Sequence, residues 1–335
     1  MNTRPPSMFD VAREAGVSHQ TVSRVLNNHP NVSAKTKVKV EAAMEKMGYR
    51  PNLAARMLVT GRSSTIGVLS YDTTLFGPAS MLHSVQVSAR EVGYAVHVVS
   101  LKAIDSESIK LGLLELVNAG VAGVVIIAPQ AIGENPFKEL PKKIPGVIVE
   151  SDESLAMPSV NVNQKLGAQL AVRHLVKLGH KKIAHISGPL DWYESKERME
   201  GWGEELKANK LTYKEIHTGD WSARSGYEET KKIIATGKAT AIFVGNDSMA
   251  LGALKALREA GISVPEEMSL IGFDDIPESA YLDPGLTTVA QDFDQVGTRS
   301  LELLVKLINR EKLPRRRVAI EPDLKIRQST CKAPK

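Results

Sequence analysis

A chain of 335 residues, 42% of them hydrophobic and with ordinary glycine and proline usage, has material for one or two cores plus a small module. No apolar run approaches the roughly twenty residues that span a bilayer, no signal-peptide stretch opens the chain, and the single cysteine, Cys331, offers neither an intramolecular disulfide nor a zinc cluster. A cytoplasmic protein without a metal is expected. The formal charge of +5 is uneven: residues 1–62 hold ten Lys and Arg against four acids, a net +6, and the remainder sums to −1. A charge run alone suggests a solvated face, but this one coincides with the helix pair described next, which points to nucleic acid.

Residues 8–15 carry apolar side chains at helical spacing, Gly16 breaks the pattern, and Ser18 restarts it as an N-cap. Two short helices about a glycine turn predict a helix-turn-helix, whose second helix enters the major groove by its N-terminal turns. His19, Gln20 and Arg24 are therefore expected at base edges, since Gln can engage adenine and Arg guanine in a bidentate manner. Ser18, Thr21, Ser23 and Asn27 are suited to phosphates, with Val22, Val25 and Leu26 packing inward. Ser33 can cap a third helix over 34–47, with Val38, Ala42 and Met44 closing a small core before Gly48 ends it. Arg50 to Gly61 reads as a short helix capped by Asn52, poor in isolation and placed to act as a hinge.

From Ile66 the pattern changes to apolar runs alternating with amphipathic segments. Strands are expected at 66–69, 95–99, 123–128, 146–149, 182–187, 241–244 and 269–273, with helices at about 79–92, 107–119, 165–178, 195–209, 224–236 and 248–260. This alternation predicts parallel sheets, and the polar stretch 150–159 suggests two similar doubly wound lobes. Ligands in such folds collect at the carboxyl ends of strands. That rule selects Tyr71, Asp72, Glu150, Asn246, Asp247, Asp274 and Asp275. Trp221 and Phe293 could face a pyranose ring and Arg198 could donate to its oxygens, whereas the plainer reading makes Asp247 a helix cap and the tryptophan a packing residue. Gly201-Trp202-Gly203 is not a dinucleotide fingerprint, and there is no Walker lysine and no G-x-S-x-G elbow. The Asp274-Asp275 pair lacks an activated nucleophile, so neither an enzyme nor a cofactor is expected.

The motifs Phe9-Asp10-Val11-Ala12, Val17-Ser18-His19-Gln20-Thr21-Val22-Ser23-Arg24-Val25-Leu26-Asn27, Val32-Ser33-Ala34-Lys35-Thr36, Gly48-Tyr49-Arg50-Pro51-Asn52, Gly245-Asn246-Asp247 and Gly272-Phe273-Asp274-Asp275 occur in one order. Over essentially its full length the chain resembles the lac repressor family (LacI/GalR). The resemblance implies an α-helical helix-turn-helix headpiece at 1–50, a hinge helix and linker at 51–62, and a periplasmic-binding-protein-like α/β core at 63–335. Of that core, about 63–162 and 293–322 form one lobe and 163–292 and 323–335 the other, joined by three crossovers.

Carried onto this chain, the resemblance puts Ser18, His19, Gln20, Thr21, Arg24, Asn27, Ser33, Thr36, Asn52, Ala55 and Leu58 on palindromic double-stranded DNA, with Leu58 as a minor-groove wedge. It puts Tyr71, Glu150, Arg198, Trp221, Asn246, Asp274, Gln291 and Phe293 at a small-molecule effector. Residues 219–223 and 291–293 look closest to galactoside-responsive members. Glu150 stands where the family's namesake has the shorter Asp, and Tyr71 and Glu194 each replace a small hydroxyl residue, which implies a bulkier and more acidic pocket. The C-terminus carries no leucine heptads, so a homodimer is expected. The implied function is a transcriptional repressor released by a sugar such as a β-galactoside. The rivals are a corepressor-dependent repressor answering to another metabolite and a sugar-binding transport protein, the latter opposed by the basic headpiece and absent signal peptide.

Overall fold

The computed structural model describes residues 6–26, 29, 31–49, 63–101, 105–127, 138, 140–151 and 157–334. The chain divides into two compact units, Met1–Ser64 and Thr65–Lys335.

In the first unit the caps set the helix boundaries. Helix α1 (Met8–Ala15) starts at Ser7, whose hydroxyl accepts from the Asp10 amide at 3.4 Å while the Asp10 carboxylate accepts from the Ser7 amide at 2.9 Å. It ends at Gly16, whose φ of 63° is strained for a side-chain-bearing residue. Helix α2 (His19–Leu26) follows Ser18, which caps the Thr21 amide at 3.1 Å, and α3 (Ala34–Met47) follows Ser33, which caps Thr36 at 3.2 Å. Val11, Ala12, Val22, Val25, Val40 and Ala43 form the core. The expected inward face of α3 is corrected: Val38 is 65% exposed and Ala42 is exposed, while Met44 only packs against the margin. Val40 and Ala43, three apart, lie on the face toward the other helices.

The second unit holds two six-stranded sheets. Strands β1 (Thr65–Tyr71), β2 (Ala95–Leu101), β3 (Val124–Ile127), β4 (Gly146–Val149), β5 (Ser159–Val162) and β11 (Arg317–Ile320) form the first in the order β11-β5-β4-β3-β1-β2, all parallel. Strands β6 (Ile183–Ser187), β7 (Ile216–Thr218), β8 (Ala241–Val244), β9 (Ser269–Asp274), β10 (Thr287–Ala290) and β12 (Asp323–Lys325) form the second in the order β12-β10-β9-β8-β6-β7, with only β12 antiparallel. Helices α4 (Phe76–Glu91), α5 (Ser106–Asn118) and α10 (Phe293–Ile308) pack on the first sheet. Helices α6 (Gln164–Lys177), α7 (Tyr193–Ala208), α8 (Ala223–Thr236) and α9 (Asp247–Glu259) pack on the second.

The seven expected strands are all present. β3, β4 and β8 are buried along their whole length, as parallel strands covered on both faces must be, which is why they read as continuous apolar runs. Five strands escaped that test. β5, β7, β10, β11 and β12 are short and carry polar residues; β5, β7 and β10 pair with an apolar neighbour, and β11 and β12 are edge strands on β5 and β10. Helix α10 was also not anticipated; its Val296, Leu301, Leu303 and Leu304 are buried in the first lobe. The polar stretch 150–159 does not divide the lobes, because it leads into β5, where Ile148 pairs with Ser159 inside the first sheet.

The chain passes between sheets at 162–164, at 290–293 and at 320–323. These passages are tied together: the Asn163 amide donates to the Ile320 carbonyl at 2.8 Å, and the Gln164 side chain donates to Gln291 at 2.9 Å.

Candidate functional site

On α2, Ser18, His19, Gln20 and Arg24 are exposed and Thr21 is half-buried. Gln20 and Arg24 are four residues apart and so share a face, opposite buried Val22 and Val25. The His19 ring stacks on Phe9 of α1, with centroids 5.0 Å apart and planes 19° apart, which fixes its orientation from outside the helix. Ser18 shares a hydroxyl hydrogen bond with Thr21 at 2.9 Å, and Ser33 repeats it with Thr36 at 2.8 Å. Both pairs sit at helix N-termini, where amide groups and the helix dipole favour an anion. The expectations on Asn27, Asn52, Ala55 and Leu58 lie outside the described residues.

In the second unit the strand ends converge on a cleft between the lobes. Arg198, in the second turn of α7, is 4% exposed. Its guanidinium donates to the Gln164 side chain at 2.9 Å and to the Gly245 carbonyl, lies 3.7 Å from the Asp274 carboxylate, and covers the Phe273 ring at 3.8 Å from the centroid. Gln291 donates to Asp274 at 2.6 Å and accepts from Gln164, so one hydrogen-bond chain joins two crossovers to β9 and α7. The Arg198 guanidinium also lies 5.5 Å from the centroid of the Trp221 ring. The Trp221 indole lies against Gly188, where any Cβ would overlap the ring. Trp221 has φ 71°, Glu150 55° and Asp274 106°, so side-chain-bearing residues hold left-handed backbone at the cleft, an arrangement that recurs at ligand sites.

Two strand-end candidates have structural work. Asn246 caps α9 by accepting from the Met249 amide at 2.8 Å, and its amide donates to the Trp221 carbonyl at 3.2 Å. Asp275 pairs with Arg327 at 2.6 Å. Asp247 is not the cap the sequence suggested. It is fully buried and accepts from the Ile276 amide at 3.0 Å and from the Ser279 and Thr288 hydroxyls, each at 2.6 Å.

The remaining candidates separate. Tyr71 meets Trp192 with ring centroids 6.2 Å apart. Phe293 stands edge-on to Phe76 at 5.8 Å and lines a broad groove of about 830 Å³ with His83, Asp292 and Glu321. Arg198, Trp221, Asn246 and Asp274 line a cavity of about 40 Å³, closed over by Leu75, Phe76 and Met81 of the first lobe, and Gln291 and Phe76 line both this cavity and the groove. A typical ligand pocket is roughly 300–1,000 Å³, so entry of a sugar requires that these side chains withdraw or the lobes part.

Glu194, expected to make the pocket more acidic, lines this cavity; Trp192 and Gln164 also belong to the site but were not among the expected effector contacts. Gln164 follows β5, the strand that sequence reading passed over; Trp192 and Glu194 open α7 just after β6 and fall under the same strand-end rule.

The electrostatics are unusual for a cleft that binds neutral molecules. Glu150 is 1% exposed and accepts from the Val162 amide at 2.8 Å through one oxygen, while its other oxygen has no partner among the described residues. Burial pushes its pKa up to about 7 against the pull of that amide and of Arg198. Glu194, also buried and with one unpartnered oxygen, is raised by burial and by Glu150. Burial lifts Asp274 to about 6, with Arg198 and Gln291 opposing. Among the described residues no group of three or more His, Cys, Asp or Glu could hold a metal, and no helix is long and apolar enough to cross a membrane.

Known proteins share both halves of this arrangement. The description "Bacterial regulatory proteins, lacI family" matches residues 7–52, and "Periplasmic binding protein-like domain" matches residues 172–330. The lactose operon repressor of Escherichia coli (strain K12) is 36% identical over 306 residues, covering 91% of this chain and 85% of that one. Catabolite control protein A of Priestia megaterium is 34% identical over 331 residues, covering 97% and 99%. The crystal structure of the lac repressor dimer bound to operator and the anti-inducer ONPF is similar with a TM-score of 0.88 at 34% identity, covering 98% of this chain and 100% of that one. With a capped three-helix unit that presents Gln20 and Arg24, a two-lobed core closed over Arg198, and relatives of this identity along nearly the whole chain, this protein belongs to the lacI family of bacterial regulatory proteins.

Proposed function

We propose that this chain is a cytoplasmic transcriptional repressor that binds a palindromic operator as a homodimer and releases it when a sugar enters the cleft. Gln20 and Arg24, with His19 braced on Phe9, read bases, and Ser18, Thr21, Ser33 and Thr36 hold phosphates. In this reading Asn27, Asn52, Ala55 and Leu58 complete the DNA contacts. Arg198, Trp221, Asn246, Asp274 and Gln291 engage the sugar, with Glu150, Tyr71 and Phe293 at its margins, and nothing is turned over.

The observation that carries the reading is the chain from Arg198 through Gln164 and Gln291 to Asp274, which spans two crossovers at the floor of a shut cleft. A polyhydroxylated ligand must exchange hydrogen bonds with that chain, and so binds open and shut arrangements with different affinity. Only such a difference can shift an equilibrium. Purified full-length protein titrated on an operator fragment, with β-galactosides tried first, tests this. Release by a sugar supports it; a ligand that tightens operator binding would assign the corepressor mechanism instead.

A further inference from the structure

The cleft holds more carboxyl groups than its one cation can balance. Arg198 is the only buried Lys or Arg among the described residues; Asp274 lies 3.7 Å from it, and Glu194, Glu150 and Asp247 also act on its charge. Asp247 is saturated by three donors, and Asp274 holds Gln291 and Arg198. Glu150 and Glu194 each keep a buried oxygen with no donor, and they repel each other. Leaving such oxygens dry is costly, and a neutral hydroxyl supplies a donor without supplying charge.

The walls are aromatic. Trp192 meets Trp221 at 5.6 Å and an interplanar angle of 67°, and Tyr71 meets Trp192 at 6.2 Å and 58°. Inclined rings beside carboxylates attract an organic cation by their faces. The Trp221 indole nitrogen is buried without an acceptor, so the occupant needs an oxygen as well. Resting on the sugar reading above, we propose that the effector is a saccharide bearing a protonated amine, with its ammonium group on Glu194, beside Trp192 in the cavity lining, and a hydroxyl oxygen on Trp221 Nε1.

The proton balance follows. Burial and mutual repulsion raise both groups, Glu150 to about 7; Glu197 adds repulsion at Glu150 and Asp274 at Glu194, Arg198 opposes at both, and the Val162 amide and the Gln164 side chain oppose at Glu150. An ammonium displaces a carboxyl proton to solvent, so amine binding releases protons and strengthens as pH rises through about 7, until the amine itself deprotonates.

Calorimetry on the full chain with matched neutral, amino and N-acetylated hexoses and their methyl glycosides, in two buffers of different ionisation enthalpy, decides the matter. The amine should bind about tenfold or more tighter than its N-acetylated counterpart, with proton release. Glu194→Gln should abolish both the preference and the release, and Glu150→Gln, tested in parallel with thermal unfolding as a folding control, should diminish both. Equal or tighter binding of the neutral partner without proton release would overturn this inference and leave the sugar reading standing. Binding of no saccharide in the set would overturn both.

Discussion

The headpiece and the cleft use polar side chains in opposite ways. On α2 the candidate contacts are exposed, and the three-helix unit is held by caps and a few small apolar residues on the other face. In the cleft the candidate contacts are buried, several are strained, and some lack partners. Exposed groups can therefore be exchanged for new specificity at little cost to folding, whereas the cleft couples its ligand preference to the stability of the core.

The largest expected effect that sharpens this contrast comes from Arg198→Ala. Removing the cation leaves the buried Asp274 carboxylate without its partner and should destabilise the core by about 3–5 kcal/mol in denaturant unfolding at pH 8. A loss below about 1 kcal/mol would show that Asp274 does not depend on Arg198 and break the comparison. Arg24→Ala should behave conversely: roughly 1–3 kcal/mol of discrimination lost at one base position per half-site, with unfolding unchanged. Unaltered base preference in a binding-site selection would remove Arg24 from the reading face.

Glu194→Gln should raise the melting temperature at pH 8 and flatten its pH dependence. In the native chain Glu150 and Glu194 are raised above their unfolded values, so the folded state binds more protons over that interval. Their contribution is complete below about pH 4.5 and is lost as pH rises through about 7. A core equally stable at pH 5 and pH 8 would show that the pair stays ionised. The smallest effect is expected from Ser33→Ala, which removes the cap on the Thr36 amide and should cost the headpiece about 1 kcal/mol.

The same contrast explains what could be read before the fold was known. The helix-turn-helix was legible because Ser18, Ser33, Gly16 and Gly48 mark its ends, but in α3 the crowded run from Val38 to Met44 supports two phases, and packing against α1 selects Val40 and Ala43. Strands such as β3 and β8 declared themselves by continuous burial, while β5 and β10, with Ser159, Asn161, Thr287 and Thr288, did not. That lapse concealed Gln164 at the end of β5. Arg198, Trp221, Asp274 and Gln291 were foreseen and do meet; Phe293 lines the adjoining groove, which shares Phe76 and Gln291 with their cavity. No local pattern announces that Glu150 and Glu194 are both buried with an unpartnered oxygen, because their burial depends on packing between distant parts of the chain.

The central claim is that cleft and DNA face are two ends of one equilibrium. Operator affinity of the full chain should be measured with and without a saturating saccharide, and saccharide affinity with and without saturating operator. The account predicts that both affinities fall by the same factor, as linkage requires. A saccharide that binds the cleft and leaves operator affinity unchanged would contradict it.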